Sequence, residues 1–503
     1  MFAQATVEFK VEGLVEQLAQ VEQWLVKAAQ AGTAAHEVER GLFGHMLSLG
    51  AKLFGAFLAW TGPGDLGETV ELESGREVKR WPEPQVKRLV TVFGEFSILR
   101  WVYGTRPGQA IELVPTDQRL QLPESEVSYL LQDWDQMLGM EQAFGHVRET
   151  MQMVLGLTQS VDTLERGNRQ MAEAAPAFRE SQPAPEPSAE GTLLVVSEDN
   201  KGVPMVRPAG MALPGAHRSK GEKANQKQMA CIGCVYTVDE HVRTAEEVVK
   251  TLFRDSDRPK QSGPKARQKR YWAELTRAVE GVLVRAQDEV FGHLAEAVAL
   301  RRQEGQVLVH LSDGQASLET DRAKYLPRDE KTVDILDLMH VLPRLWEAAH
   351  LFHAEGSESA TRFVRERLLR VLEGKAGRVV GGLRQMAKKQ KLKGAKAKRM
   401  RQICQYLESN LHRMHYDEYL KEGYPIATGV IEGACRHVIK DRMERAGMRW
   451  KVPGARAMLY LRAIHANGDW QAFQQHRIEQ ETVRLYPDAE FLRSFPWPLA
   501  VPA

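Results

Sequence analysis

For a chain of its length the sequence has little cysteine and little net charge. It carries four cysteines in 503 residues, and 68 Lys and Arg against 66 Asp and Glu, for a formal charge of +2. So few cysteines exclude a disulfide-stapled scaffold and make a reducing cytoplasm the expected location. Cys231 and Cys234 have the spacing of half a zinc knuckle, but Cys404 and Cys435 are single and distant. A structural zinc site needs four ligands, and strand positions three apart face opposite ways, so two small buried residues are expected instead. Long apolar runs are also lacking: none reads as long enough to span a bilayer, and no membrane partner is expected. The opening residues, Met1-Phe2-Ala3-Gln4-Ala5-Thr6-Val7-Glu8, lack the basic and apolar regions of a secretory signal.

What is present is a globular composition, 43% apolar and 27% charged, in a chain long enough for two or three domains. The near-neutral average hides basic clusters at Arg218–Lys227, Arg258–Arg270 and Lys388–Arg401. Any one of them reads as a solvated face, while several together suit a polyanion that touches more than one surface.

In chain order, Leu14, Leu18, Val21 and Trp24 recur at helical spacing, and a second helix is expected from about Ala35 to Ala59, stopped by Gly62-Pro63-Gly64. Val90–Tyr103 alternates as a hairpin turning near Gly94-Glu95. Residues 1–122 are thus a mainly helical region with a small hairpin. Over 123–174, helices carrying Val127–Leu138 and Phe144–Val154 are followed by a short Gly-containing turn. Ser160 then caps a last helix with Thr163, Arg166, Asn168, Arg169 and Gln170. That is a helix-turn-helix pattern able to reach phosphates and bases, though an ordinary helical hairpin produces the same pattern. Residues 175–191, rich in Pro, Ala and Glu, read as a linker.

The chemistry-bearing part follows. Leu193-Leu194-Val195-Val196 is a buried strand ending in Ser197-Glu198-Asp199-Asn200, and Val307–Leu311 is another ending in Ser312-Asp313-Gly314. A strand antiparallel to the first is expected at Gln228–Val238, a long helix from about Lys265 to Arg302, and a third apolar unit at Thr332–Val341 leading into a helix at Pro343. This makes an α/β core over 192–342. Residues 343–420 read as an all-helical insertion, and 421–503 as the last part of the core with C-terminal helices. There Thr428 or Gly429 caps a helix that carries Glu432 one turn in, followed by Arg436, Lys440, Arg445, Arg449 and Trp450. A glutamate at that position also suits the helix dipole alone. Two strand-end aspartates and a helical glutamate can share two divalent cations, and hard oxygen ligands suit Mg²⁺ or Mn²⁺.

From Leu193 to about Ile464 the chain resembles bacterial insertion-sequence transposases of the DDE type, in the ISKra group and its Mutator-like relatives. The resemblance rests on Val195–Met205, His310-Leu311-Ser312-Asp313-Gly314, Asp337-Leu338-Met339-His340 and Gly429-Val430-Ile431-Glu432-Gly433-Ala434-Cys435, the last running on to Gly447-Met448-Arg449-Trp450. It implies a ribonuclease-H-like α/β core with an all-α insertion, preceded by a mainly α DNA-binding region. It implies Asp199, Asp313 and Glu432 as catalytic metal ligands and Asp337 and His340 as an accessory pair. Double-stranded DNA would be contacted by Arg166, Arg169, Lys388, Lys389, Arg436, Lys440, Arg445, Arg449 and Trp450, and two element ends would be joined by a homo-oligomer. Asn200 stands where the family more often has Gly, and its tolerance of left-handed backbone keeps that turn possible. Glu198 beside Asp199 adds a second acid; adjacent strand residues face opposite ways, so Asp199 is expected to face the metal. The alternatives are a transposase-derived DNA-binding protein without catalysis and a nuclease that cuts without strand transfer.

Overall fold

The structure is a computed structural model and describes residues 12–487 apart from 73, 107–109, 207–226, 261–262, 327, 428 and 446. Nearly all of the Arg218–Lys227 cluster and the cap expected at Thr428 lie outside the described residues. The described residues up to Ala174, with those from Gln471 onward, form one compact unit, and Ala175–Trp470 form a second.

In the first unit, helices Glu12–Gln30 and Ala35–Thr61 run where the periodicity set them, and Gly62 ends the second at φ +74°. The second helix is 27 residues long with a mean hydropathy of 1.4 over its most apolar window, and so is long and apolar enough to cross a membrane. That corrects the expectation that no such run exists; the scattered Glu and Arg near its start mask a charge-poor second half. One side of this helix, through Phe54 and Leu58, covers Leu89 and Ile98 of the hairpin Gln85–Thr91/Gly94–Arg100. Helices Tyr129–Glu141, Phe144–Leu155 and Val161–Ala172 follow, and the Ser128 and Ser160 hydroxyls cap the first and last. Asn168 is not available to a base edge: it is buried and donates to Gln136 Oε1 at 2.8 Å.

The second unit is built on one five-stranded sheet. Its strands are β1 (Leu193–Pro204), β2 (Lys227–Val238), β3 (Arg267–Leu275), β4 (Val307–Ser312) and β5 (Thr332–Leu336), in the order β5-β4-β1-β2-β3. β1, β4 and β5 are parallel, β2 runs antiparallel to β1, and β3 runs antiparallel to β2. Leu194, Val196 and Leu308 turn one face of the sheet to Val290, Phe291 and Leu294 of helix α1 (Ala286–Arg301). Gly233 of β2 permits that approach, because a Cβ there would stand 2.6 Å from Val290 and 2.9 Å from Leu294. Cys231 and Cys234 are buried, free thiols on β2.

Several elements differ from the sequence reading. The helix expected from Lys265 is instead strand β3 and a hairpin, Arg277–Val279/Val282–Val284, turning at Glu280-Gly281 with both φ positive. Alternate residues Tyr271, Ala273 and Leu275 bury themselves against β2, and that period of two wins over the helical one. The expected linker contains a helix, Ala175–Ser181, because Ala175 and Phe178 have a buried face to fill. Helix α2 (Leu338–His350) begins at Leu338 rather than Pro343, capped by Asp337, with the proline inside it. Asn200 lies in strand β1 and not in a left-handed turn. The helical insertion comprises Glu358–Leu372, Ala376–Lys389, α3 (Gly394–Ser409) and Tyr416–Lys421. The chain returns to the sheet through α4 (Gly429–Ala434), a π-helical turn Cys435–Lys440 and Val452–Ala466. From Gln471 the last helix belongs to the first unit, not to the core.

Candidate active site

The register of the parallel strands lines up three aspartates. Val195 of β1 lies opposite Val309 of β4, which lies opposite Val333 of β5. Asp199, Asp313 and Asp337 each follow that row by four residues, an even step that returns to the same face of the sheet. β4 ends at Ser312 and β5 at Leu336, so Asp313 and Asp337 stand just beyond the ladder. β1 continues to Pro204 paired with β2, which places Asp199 within a strand rather than at a strand end, a second correction to the sequence reading. Each aspartate is held by a backbone amide on one oxygen: Asp199 Oδ1 accepts from Asn200, Asp313 Oδ1 from Gln315 and Asp337 Oδ1 from Met339, all at 2.7 Å.

Helix α4 brings Glu432 to the β5 end of this row. Donor atoms of Asp337, His340 and Glu432 lie within 4.8 Å of one another. His340 Nδ1 is buried, stands 4.0 Å from Asp337 Oδ2, and makes no hydrogen bond among the described residues. An imidazole nitrogen and two carboxylates this close together could hold a cation, and a ring nitrogen with no hydrogen bond is free to be one of its ligands. The pair expected to be accessory thus sits in the tightest donor group, whereas Asp199 and Asp313 lie outside it. Asp313 still feels its neighbours: burial pushes its carboxyl pKa up, the Gln315 amide and His340 pull it down, and Asp199 and Glu198 push it up again. The π-turn after α4 sets the Cys435 thiol against Asp199, and burial followed by that carboxylate pushes the thiol up.

Glu198 faces away from this row. Its two carboxylate oxygens lie 3.0 Å from His310 Nε2, and on the other side of the ring Nδ1 stands 3.3 Å from Asp334 Oδ1. Asp334 also pairs with Arg322, buried, and with Arg328 at 3.0 Å. Burial pulls the His310 pKa down, but Glu198 and Asp334 outweigh it and hold the imidazole up at about 9. Sequence reasoning missed this network, although the β4 run Val307-Leu308-Val309-His310-Leu311 shows a histidine inside an apolar strand, a position that demands partners.

The expected DNA contacts fall on three separate stretches of the chain. Arg166 and Arg169 lie on the capped helix of the first unit, Arg166 exposed and 3.9 Å from Asp162. Lys388 and Lys389 are exposed in the last turn of an insertion helix, where the dipole alone would favour them. Arg436, Lys440, Arg445 and Arg449 are exposed around and after the π-turn. Trp450 is buried at 8% exposure with its indole N–H donated to Met443 O, so its ring packs the core rather than facing outward.

No family model matches the chain, and no curated protein is similar to it. Among solved structures it is similar to a chain of the Drosophila P element transposase strand transfer complex, at 11% identity and a TM-score of 0.22, over 76% of this chain and 86% of that one. At that TM-score the two do not superimpose as wholes.

Proposed function

We propose that the protein is a DDE-type DNA transposase of an insertion sequence, a metal-dependent enzyme that cuts DNA at terminal repeats and joins the freed 3′-hydroxyl to target DNA. The observation that carries this reading is the row of aspartates from three parallel strands met by Glu432 from a helix. Supporting it is an α/β core on a mixed sheet, three antiparallel strands followed by two parallel to the first, compatible with the ribonuclease-H-like core that the resemblance implies; the helical insertion separates Asp313 from Glu432. Asp199, Asp313 and Glu432, with Asp337 and His340, would hold Mg²⁺ or Mn²⁺. When bound, such cations supply Lewis-acid stabilisation of an in-line displacement at phosphorus and acidify the attacking oxygen. The chain's own residues do the rest. Backbone amides fix one oxygen of each aspartate, the Glu198–His310 pair keeps the spare acid away from the row, and exposed arginines after α4 would hold the DNA backbone. Two DNA ends must meet, so a homo-oligomer is part of the proposal, as is action on DNA in the cytoplasm.

Strand cleavage of a labelled terminal-repeat duplex with Mg²⁺ or Mn²⁺ tests this, with Asp313→Asn as the control after its fold and DNA binding are checked. Cutting that the substitution abolishes, with joined products, supports a transposase. Cutting without joined products identifies a nuclease, and binding without cutting in either metal identifies a DNA-binding protein that does no chemistry.

A further inference from the structure

A cleft of about 430 Å³ opens beside the aspartate row, between the turn after β4 and helix α3 of the insertion. Gly314 forms its floor at φ +80°, and a Cβ there would stand 2.9 Å from Asn410 Oδ1, so the turn and the insertion meet closely. The insertion is tied to the site at this point: Tyr406 donates its hydroxyl to the Asp313 carbonyl at 2.7 Å. From α2 the cleft is lined by Arg344; the cap Asp337 and, on the helix, His340, Arg344 and Glu347 recur at steps of three and four and so share one face leading away from the acids. Arg344 lies on that face about 10 Å along the helix from Asp337, at 1.5 Å per residue. Its guanidinium sits 5.1 Å from the Tyr406 ring centroid and donates to Glu347 Oε1 at 3.0 Å. Arg399 reaches across from α3 to the other oxygen of the same carboxylate and donates to Gln402 at 3.2 Å. One glutamate therefore holds two half-exposed guanidiniums at the cleft, one more than it can match by itself. A bridge that only joined α2 to α3 would need one arginine.

We infer that this cleft binds a phosphate of the DNA strand adjoining the reacting phosphodiester, with Arg344 and Arg399 as its ligands and Glu347 as the internal carboxylate from which the phosphate takes them over. The inference rests on the DNA strand-transfer reading above. A phosphate offers the same paired oxygens as the carboxylate, so each guanidinium can move its forked N–H groups from one to the other, and the second anion takes up the spare charge.

The test uses the full-length protein and a labelled mixed-sequence duplex with a single-stranded extension, titrated at increasing KCl. The wild type is compared with Arg344→Gln, Arg399→Gln and Glu347→Gln, and thermal melting is recorded for each. Each arginine variant should bind several-fold more weakly and lower the slope of log affinity against log salt by about 0.7 to 0.9, the value of one phosphate contact. Glu347→Gln should bind as tightly as wild type or more tightly, because it frees both guanidiniums. Lowered melting temperatures in all three variants with affinity and slope unchanged would mean a helix-to-helix bridge and nothing more. Weaker binding by Glu347→Gln as well would equally overturn the inference. A wild type that cuts DNA while the arginine variants bind normally sinks the cleft alone, whereas a wild type that neither binds nor cuts sinks the transposase reading and the cleft with it.

Discussion

At the scale of single residues the sheet sorts its acids by face. Asp199 and Glu198 are neighbours in sequence, yet strand alternation sends one to the aspartate row and the other to His310. The imidazole between Glu198 and Asp334 is buried, and taking it away would strand the buried Glu198 carboxylate, while Asp334 keeps Arg322 and Arg328. His310→Ala should therefore cost about 3–5 kcal/mol in a denaturant titration. The pH dependence follows from the direction of the shift. Folding raises the His310 pKa from 6.5 to about 9, so its contribution is complete below about 6.5 and is lost as pH rises through about 9. The wild-type melting temperature should fall across that interval, and a His310→Gln variant should lose that component. At Asp313 burial raises the carboxyl pKa, so protons compete with metal at a higher pH than at an unshifted aspartate. Mn²⁺ binding followed by calorimetry should weaken early on acidification. His340→Gln should weaken Mn²⁺ binding more than Mg²⁺ binding, since an imidazole suits the softer ion; equal losses would take His340 out of the donor set.

At the scale of elements, the sequence read best where one period ran undisturbed. The capped helix at Ser160 and the three parallel strands were legible from spacing, turn residues and apolar runs; the hairpin was read too far along the chain, since Gly94 and Glu95 open its second arm and its first arm is Gln85–Thr91. β3 was not, because Tyr271, Trp272 and Leu275 fit a helical stripe as well as a strand, and only the neighbouring β2 decides between them. The helix at Ala175–Ser181 was hidden by its prolines and glutamates, since its one large apolar residue, Phe178, becomes meaningful only when a surface is there to receive it. Helix α1 depends on Gly233 in the same way. Gly233→Ala should force Val290 and Leu294 apart and cost about 1–3 kcal/mol, readable as a lower denaturant midpoint with an unchanged slope.

At the scale of the whole molecule, the first unit is discontinuous in sequence and the second is not. Arg477, buried in the last helix, donates to Gln132 at 2.8 Å, and Gln474 lies against Met171, so the end of the described chain completes the fold begun before Ala174. Truncation after Trp470 should therefore lower the unfolding temperature of the first unit and leave the transition of the sheet unit in place, as two components in scanning calorimetry. A single transition that moves as a whole would show that the units unfold together.

The sequence by itself determined the α/β class of the core and offered the acids near its strand ends as candidates. Short β-branched apolar runs bounded by turn residues read as buried strands, and acids at or near their ends must be received by something. It did not determine how those acids group. That Asp199, Asp313 and Asp337 stand level depends on the register of β4 against β1 and β5, which is a property of three distant segments at once. That Glu432 meets Asp337 and His340, and that Arg344 and Arg399 converge on Glu347, depends on where an inserted bundle of helices returns the chain. Spacing along a chain reports local period; distance across a fold is set by packing, and only the tertiary structure decided it.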